Sequence, residues 1–235
     1  MWLELLEIFR SGDPLKALSD DFMKMLRLTR EMAEIVRPRV FDNLLSLEKR
    51  KEISARDIEV NKLERSIRRR LVAHLTMHGS KAPFCLLLFS LVKDAERIGD
   101  YVKNIAEVER LGGAEIPDGP LKDELTDLID QATRFHAETP EILARQDRER
   151  AVELIREGQA AHKRSDALLV ELAKSDFNAG QTTSLVLLTR FYKRISAHTV
   201  NILSSIVMPV HKVDYFDEEY VALDDPNAAA GGDDG

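Results

Sequence analysis

Helical periodicity runs through nearly the whole chain and is interrupted where proline and glycine cluster. Apolar residues recur at i, i+3, i+4 and i+7. Alternating apolar and polar runs between turn residues, the pattern of β-strands, are almost absent. The 235 residues suffice for one large domain or two small ones. The pattern therefore predicts an all-α protein with a sizeable core.

Breaks in the periodicity divide the chain into predicted helices. They cover about 2–10, 14 to the high forties, 54–77, 83–111, 119–137, 147–174 and 181–207. Pro38 should kink or split the second of these helices, and Ser54 is the predicted N-cap of the third. The segment "GGAEIPDGP" (112–120) is the strongest linker signal. Three long helices therefore precede the linker and three follow it.

An internal repeat relates the two halves of the chain. The segment "ERIGDYVKNI" (96–105) aligns without gaps to "KRISAHTVNI" (193–202). The acids Glu96 and Asp100 of the first segment become Lys193 and Ala197 in the second. The repeat predicts two tandem antiparallel three-helix bundles packed side by side, in residues 14–113 and 114–212. A short amphipathic helix in 1–13 and an acidic tail in 213–235 would flank them.

The net charge of −7 is concentrated in the C-terminal tail. From Val213 onward there are eight acidic residues and no Lys or Arg, so residues 1–212 carry a net charge of about +1. A tail of this composition is expected to be disordered. The basic cluster "RSIRRR" (65–70) is local, with no basic surface spread around it, and we expect no nucleic-acid binding.

The sequence contains no recognisable catalytic motif. Its single cysteine, Cys85, lies in the apolar run "FCLLLFSLV" (84–92) and is expected to be a buried, inert thiol. Glycine-rich phosphate loops and nucleophile motifs are absent. The segment "MWLELLEIFR" (1–10) differs from a signal peptide, and no apolar run is long enough to span a membrane. We therefore expect a cytoplasmic protein that is not an enzyme.

Two polar stripes beside apolar seams contain the candidate functional residues. Glu96 and Asp100 share one face of the predicted helix 83–111, because residues four apart lie one above the other. Asp57, Asn61 and Glu64 form a second stripe on the helix 54–77. If these helices are antiparallel neighbours, the oxygen donors converge. They could then hold a divalent cation such as Mg²⁺, Mn²⁺, Fe or Zn²⁺.

The same acids could instead form a solvated face. Acids four apart are common on exposed helices, and Lys93 and Lys103 could pair with them. His74 and His78 are also four apart and could chelate zinc, although no third ligand is identifiable and a surface or capping role is the simpler interpretation. His198, beside the position of the missing acid, is interpreted as a solvated or satisfied polar side chain.

At this point the motifs resemble those of a known family. The segment "DAERIGDYVKNIAE" (94–107) is similar to the signature helix of the PhoU family, written as Leu-Glu-Arg-Ile-Gly-Asp followed by an Asn-Ile pair. "DIEVNKLERSI" (57–67) resembles the family's preceding helix, in which two Asp residues four apart precede a Leu-Glu pair. The resemblance extends over about 14–210. It implies two three-helix bundles with metal sites, often multinuclear, on two helices of each repeat.

The resemblance implies a metal site in the first half and none in the second. Glu96 and Asp100 match the family motif in full, and Asp57 matches the first acid of the preceding motif. Asn61 stands where the family commonly has Asp, so the site loses one charge, whereas Glu64 is retained. The ion would be divalent or trivalent: Mg, Mn, Fe or Zn. In the second half, a lysine and an alanine replace both carboxylates.

The resemblance also implies a role in restraining phosphate uptake and repressing phosphate-starvation signalling. The partners would be a phosphate ABC transporter and a sensor histidine kinase, so the protein would be a metal-binding adaptor at the inner face of the membrane. We further expect a homodimer. The alternative is a metal-free helical module that binds a transporter or another protein. A metallohydrolase is disfavoured, because two partial carboxylate pairs do not specify an activated water.

Overall fold

The computed structural model describes residues 14–39, 41, 45–78, 81–108 and 116–213. Its six α-helices are α1 (Pro14–Val36), α2 (Leu47–His78), α3 (Ala82–Ile105), α4 (Pro120–Arg145), α5 (Arg148–Ala173) and α6 (Ala179–Val207). Short 3-10 turns follow α1 (Arg37–Arg39) and α6 (Val210–Lys212). These residues contain no strand, so the all-α prediction is confirmed. The predicted N-terminal helix and the acidic tail beyond Val213 lie outside the described residues.

The helices pack as two groups of three. Helices α1, α2 and α3 contact one another, as do α4, α5 and α6. The groups meet along a broad contact between α3 and α6 and a narrower contact between α1 and α4. Each group buries its own apolar seam, with Met25 and Ile67 in the first and Phe135 and Leu154 in the second. Removing these side chains from water provides the main drive for folding. None of the described helices combines the length and the hydropathy needed to cross a bilayer.

The first helix boundaries differ from those expected from the sequence. α1 ends at Val36 and not in the high forties, because the residue before Pro38 is disfavoured in the α conformation. α2 begins at Leu47, where the Ser46 hydroxyl accepts the backbone N–H of Lys49 at 3.2 Å. Ser46 is therefore the residue that caps this helix, and the prediction for Ser54, which lies inside it, was wrong.

The ends of α3 and α4 also differ from those predicted from the sequence. α3 ends at Ile105, short of the predicted 111. α4 continues to Arg145, past the predicted 137, although Pro140 lies within it. Ile142 and Leu143 are buried beyond the proline, so tertiary packing holds the last turns together despite the lost backbone hydrogen bond.

Gly158 allows α5 to approach α6 closely. A Cβ atom at this position would lie 2.5 Å from Cγ2 of Val200, which is well inside van der Waals contact. At Gly99 of α3 the corresponding distance, to Cγ2 of Thr29, is 3.2 Å. The second group of helices therefore depends on one glycine more strictly than the first does.

Candidate metal site

Three of the five predicted ligands lie along the contact between α2 and α3, near enough for their charges to interact. Glu96 and Asp100 are one turn apart on α3, and Glu64 lies opposite on α2, close enough for its charge to act on Glu96. Their side chains are 14%, 16% and 31% exposed for Glu64, Glu96 and Asp100. Asn61, also on α2, is half-buried. The expected pairing of the two helices is therefore observed, and the acids are shielded more than a solvated face would be.

Burial and neighbouring carboxylates change the protonation of Glu96. Burial, followed by the negative charge of Asp100 and more weakly that of Glu64, raises the pKa of Glu96 to about 7. Arg97 acts in the opposite direction. A hydrogen bond between the Glu96 and Asp100 side chains adds to the rise. Near neutral pH this cluster therefore holds a proton that an isolated glutamate would release.

Basic side chains accompany every predicted carboxylate ligand. Arg97 lies 3.6 Å from Oε2 of Glu96 and 3.3 Å from Oδ2 of Asp100. Arg68 lies 3.1 Å from Glu64 along the same helix. These pairs are partly exposed, so each one contributes little to stability. The pairing predicted for Lys93 and Lys103 with the α3 acids is replaced by pairing with Arg97.

Asp57 is separated from the other acids by its own partner. It is buried, and Lys103 of α3 donates a hydrogen bond to its Oδ2 at 2.8 Å. That hydrogen bond is the main reason why the pKa of Lys103 is raised. The pair joins α2 to α3 and makes Asp57 a structural contact between the helices in this structure.

The donor set fits a cation in charge and chemistry, with one restriction of geometry. Carboxylate oxygens suit hard divalent ions, and the pKa of Glu96 is raised first by burial and then by the charges of Asp100 and Glu64. Among the described residues, however, no three His, Cys, Asp or Glu side chains are placed so that they could hold one metal ion. Arg97 is the cation that neutralises Glu96 and Asp100 here.

The corresponding position of the second half carries an ion pair. Lys193 of α6 donates to Oδ1 of Asp166 on α5 at 2.5 Å. Ala197 is half-buried on the same helix, one turn further along. At equivalent positions the first half therefore has two acids beside an arginine, and the second half has a lysine paired with an acid of the neighbouring helix.

A polar cluster at the α3–α6 contact went unrecognised in the sequence. Asp94 is buried, and its Oδ1 lies 2.7 Å from Nδ1 of His198 and accepts a hydrogen bond from Asn201 at 3.2 Å. The ring of Tyr101 stacks on His198, with 5.8 Å between their centroids. The spacing contained a signal, because Asp94 lies three residues after Leu91 and so falls within the apolar seam of α3. The interpretation of His198 as a satisfied polar residue agrees with this cluster.

A second buried hydrogen bond joins α1 to α4. The side chains of Thr29 and His136 lie 2.9 Å apart, between Oγ1 and Nε2. Burial, with a smaller effect from Arg30, lowers the pKa of His136 to about 4, so the imidazole is neutral at physiological pH. Its Nδ1 atom is buried and makes no hydrogen bond in the structure. Neither residue carried a sequence signal, because each is a lone polar side chain within a helix.

Comparisons with known proteins agree with the motif on α2 and α3. Residues 22–108 match the family model of the PhoU domain. A phosphate-specific transport system accessory protein PhoU homolog from Synechocystis sp. is 30% identical over 121 residues. That alignment covers 50% of this chain and 53% of the relative, so it spans about half of the relative's length.

Solved structures extend the similarity to the fold of both halves. PhoU from Pseudomonas aeruginosa matches with a TM-score of 0.72 at 19% identity, covering 84% of this chain and 97% of that one. The phosphate transport system regulatory protein PhoU from Streptococcus pneumoniae matches with a TM-score of 0.67 at 18% identity, covering 82% and 93%. The resemblance inferred from the sequence is confirmed: residues 22–108 match the model of the PhoU domain, and the chain has the fold of the two PhoU structures.

Proposed function

We propose that this chain is a non-catalytic regulator of phosphate transport. The observation that carries the proposal is the PhoU domain of residues 22–108 within a PhoU-like fold. The relative from Synechocystis is named as an accessory protein of phosphate-specific transport, and the match from Streptococcus as a regulator of a phosphate transport system. The chain would act as a homodimeric adaptor between a phosphate transporter and a sensor histidine kinase at the inner face of the membrane.

Deletion of the gene in its own host tests this function. In phosphate-rich medium, the deletion should raise both phosphate uptake and the expression of a phosphate-starvation reporter. The wild-type gene supplied in trans should restore both to the parental level. Unchanged uptake and reporter activity in the deletion strain would contradict the proposal.

The proposal includes one cation site in the first half. Glu96 and Asp100 would be its principal ligands, with Glu64 as a third oxygen donor and Asn61 as a neutral one. A bound cation would displace the proton that Glu96 holds near pH 7, and Arg97 would release both acids. Asp57 would bind the cation only after its ion pair with Lys103 breaks, so we expect it to contribute least to cation affinity.

Metal content and thermal shift test the cation site. The Glu96→Ala/Asp100→Ala variant should lose bound metal on elemental analysis, and Mn²⁺, Mg²⁺ or Zn²⁺ should no longer raise its melting temperature. Glu153→Ala/Glu157→Ala is the matched control, because those acids are also four apart but lie on α5. Equal metal content in the wild type and the first variant would contradict the site.

A metal-free adaptor is the second candidate, and the ion pairs favour it. Each of the four predicted carboxylate ligands already has an arginine or lysine partner. In this case the purified wild-type protein would contain no metal and show no thermal shift with these cations. The transport phenotype of the Glu96→Ala/Asp100→Ala variant would then match that of the wild type.

A further inference from the structure

The hairpin of α2 and α3 contains a basic stretch without acidic residues. Residues 65–93 include no Asp or Glu, in a chain whose net charge is −7. The same stretch has six lysines and arginines, namely Arg65, Arg68, Arg69, Arg70, Lys81 and Lys93. The carboxylates that flank it are Glu64 on α2 and Asp94 on α3, and Asp94 is buried against α6. This part of the hairpin therefore contributes only positive charge to the surface.

A stripe of exposed side chains follows α2 along this stretch. Arg65, Arg69 and Val72 have the i, i+4, i+7 spacing of one helix face, and all three are exposed. Neither arginine forms an ion pair with another residue that the structure describes. Both charges are therefore available to an external negative surface.

A matching stripe follows α3. Leu86, Phe89 and Lys93 have the i, i+3, i+7 spacing of one face and are also exposed. The guanidinium of Arg68 on α2 lies 4.9 Å from the centroid of the Phe89 ring, so the two stripes adjoin. The six residues of the two stripes form one surface, which we call the basic–apolar face.

The apolar side chains of the basic–apolar face protrude from it. Val72 and Leu86 are 54% and 57% exposed, and Phe89 is 38% exposed. Side chains this exposed stand above the surface and do not line a groove. Helix α6 provides the contrast, because it has the exposed Arg190 and Arg194 and no acid, but no exposed large apolar side chain along its described length. The combination of free positive charge with protruding apolar groups is therefore a feature of the α2–α3 hairpin.

An anionic lipid surface matches this combination in charge and in shape. Negatively charged headgroups attract lysine and arginine side chains. Apolar side chains that protrude singly would need separate matching pockets on a protein partner, whereas the soft boundary between headgroups and acyl chains accepts them. A nucleic acid would use the arginines but would leave the apolar side chains beside phosphates.

We propose that the basic–apolar face binds an anionic phospholipid surface. Its three basic side chains contact the headgroups, and its three apolar side chains enter the boundary with the acyl chains. Binding is peripheral, because none of the described helices can span a bilayer. This inference goes beyond the proposed function and does not rest on it, since the chain would meet the membrane directly and not through a transporter or kinase.

Flotation of the full-length chain with vesicles tests the proposal. Vesicles of equal parts phosphatidylglycerol and phosphatidylcholine are compared with vesicles of phosphatidylcholine alone. EDTA is present throughout, so that no cation can bridge Glu96 and Asp100 to lipid phosphates. The wild type should float with the mixed vesicles and not with the neutral ones, and added NaCl should release it because salt screens the attraction.

Arg65→Gln/Arg69→Gln tests the role of the charges. Each basic side chain near an anionic membrane strengthens partitioning roughly fivefold, so this variant should bind the mixed vesicles about 25-fold more weakly. Arg190→Gln/Arg194→Gln is the matched control, because it also removes two exposed arginines four residues apart, but from α6. The control should bind as the wild type does. Equal binding by the two double variants would overturn the proposal.

Val72→Gln/Leu86→Gln tests the role of the apolar side chains. It should weaken partitioning roughly tenfold, because part of two apolar side chains would no longer leave water. Leu47→Gln/Val170→Gln is the matched control, since those side chains are 69% and 53% exposed and lie outside the basic–apolar face. If Val72→Gln/Leu86→Gln bound as tightly as the wild type, the insertion of these side chains would be refuted.

The remaining outcomes separate other occupants from lipid. A wild type that floats with neither vesicle would overturn the proposal and leave the face to an acidic protein partner. If that wild type also formed a dimer that Arg65→Gln/Arg69→Gln breaks, the face would belong to a second copy. Circular dichroism checks that each variant keeps its helices, and Leu86→Gln alone replaces the double variant if Val72→Gln/Leu86→Gln does not fold.

Discussion

Glu96 shows how a carboxylate can oppose folding at neutral pH. Its pKa of about 7 in the folded chain exceeds the ordinary value of 4.5, so the folded state binds the proton more tightly. The associated stability is fully present below pH 4.5 and is lost as the pH rises through 7. We expect Glu96→Gln, in the presence of a chelator, to raise the melting temperature at pH 8 and leave it unchanged at pH 4.

Glu48→Gln is the control for this prediction, because Glu48 is exposed in the first turn of α2. Calorimetric melting of the wild type and both variants at the two pH values supplies the measurement. A Glu96→Gln variant that is less stable than the wild type at pH 8 would show that Arg97 stabilises the acid more than its neighbours repel it.

Asp94 has the opposite effect on stability, because two partners, His198 and Asn201, both bind its Oδ1 atom. Replacing it with alanine leaves His198 and Asn201 without their shared acceptor at the α3–α6 contact. We expect Asp94→Ala to lower the free energy of unfolding by about 1.5–3 kcal/mol, the range for hydrogen bonds to charged groups. Urea unfolding at pH 7 measures the loss.

Asp166→Ala is the matched control for Asp94. Asp166 also pairs with a basic group across two helices, but its side chain is 58% exposed. Surface ion pairs contribute roughly 0–1 kcal/mol, so this variant should unfold near the wild-type midpoint. Similar losses of unfolding free energy in Asp94→Ala and Asp166→Ala would mean that burial does not strengthen the interactions of Asp94.

Single residues were predictable from the sequence only along one helix. Spacing alone indicated that Glu96 and Asp100 share a face, and the pairing of α2 with α3 indicated Glu64. The partner of Asp57 could not be predicted, because the contact with Lys103 depends on how α3 is rotated against α2. The same limit hid the pair of Asp94 and His198, which lie 104 residues apart.

At the level of elements, Gly158 sets the separation of α5 and α6. In an exposed helix interior, Gly→Ala would stabilise the chain by roughly 1 kcal/mol. Here the new Cβ would overlap Val200, and overpacking of this kind costs about 1–3 kcal/mol. We expect Gly158→Ala to lower the melting temperature, measured by circular dichroism.

Two further variants separate overlap from helix propensity. Gly158→Ala/Val200→Ala removes the overlapping methyl groups. The melting temperature of this double variant should therefore lie close to that of Val200→Ala. The difference between those two should be smaller than the difference between Gly158→Ala and the wild type. Gly99→Ala meets Thr29 only at 3.2 Å and should cost less than Gly158→Ala. A Gly158→Ala variant as stable as the wild type would show that α5 can shift away without loss.

The number and order of the helices were predictable, and their ends less so. Apolar periodicity placed the six described helices, because a period of 3.6 persists over each one. Local sequence patterns predicted the wrong helix end where tertiary packing was stronger. At Pro140, for example, α4 continues beyond the proline because the residues that follow are buried. At the start of α2, Ser46 and Ser54 offer the same side chain, and sequence alone did not favour the correct one.

At the scale of the whole molecule, His136 and Glu96 make the free energy of unfolding depend on pH in opposite directions. The pKa of His136 falls from 6.5 to about 4 in the folded chain, so its contribution is present above pH 6.5 and is lost as the pH falls toward 4. Glu96 makes stability decrease as the pH rises from 4.5 to 7. Between pH 4.5 and 6.5 the two contributions offset each other.

Single variants should reveal these contributions separately. Between pH 4.5 and 6.5, the free energy of unfolding of Glu96→Gln should increase with pH relative to that of the wild type. The free energy of unfolding of His136→Gln should decrease with pH relative to that of the wild type. The free energy of unfolding in urea, measured at half-unit pH steps, gives both differences. Parallel pH curves for the wild type and His136→Gln would contradict the assignment of a neutral, buried His136.

The overall architecture was predictable because the repeat and the linker divide the chain into two groups of three helices. How the groups join was not predictable. The α3–α6 contact was not specified by periodicity, since each helix has its own apolar seam. The α1–α4 contact includes the hydrogen bond between Thr29 and His136, which are 107 residues apart and belong to no motif.

The unequal contacts between the halves have a mechanical consequence. Along α3 and α6 the halves share a long packed line, whereas α1 and α4 meet over a short stretch around Thr29 and His136, with Arg37 and Asp130 paired at the surface. Bending stiffness should therefore be anisotropic. Sliding one half past the other would disrupt the whole α3–α6 contact. Rotation about the α3–α6 contact as an axis would separate only the short α1–α4 contact. Of the motions between the described halves, we therefore expect a hinge opening on the α1–α4 side to be the softest.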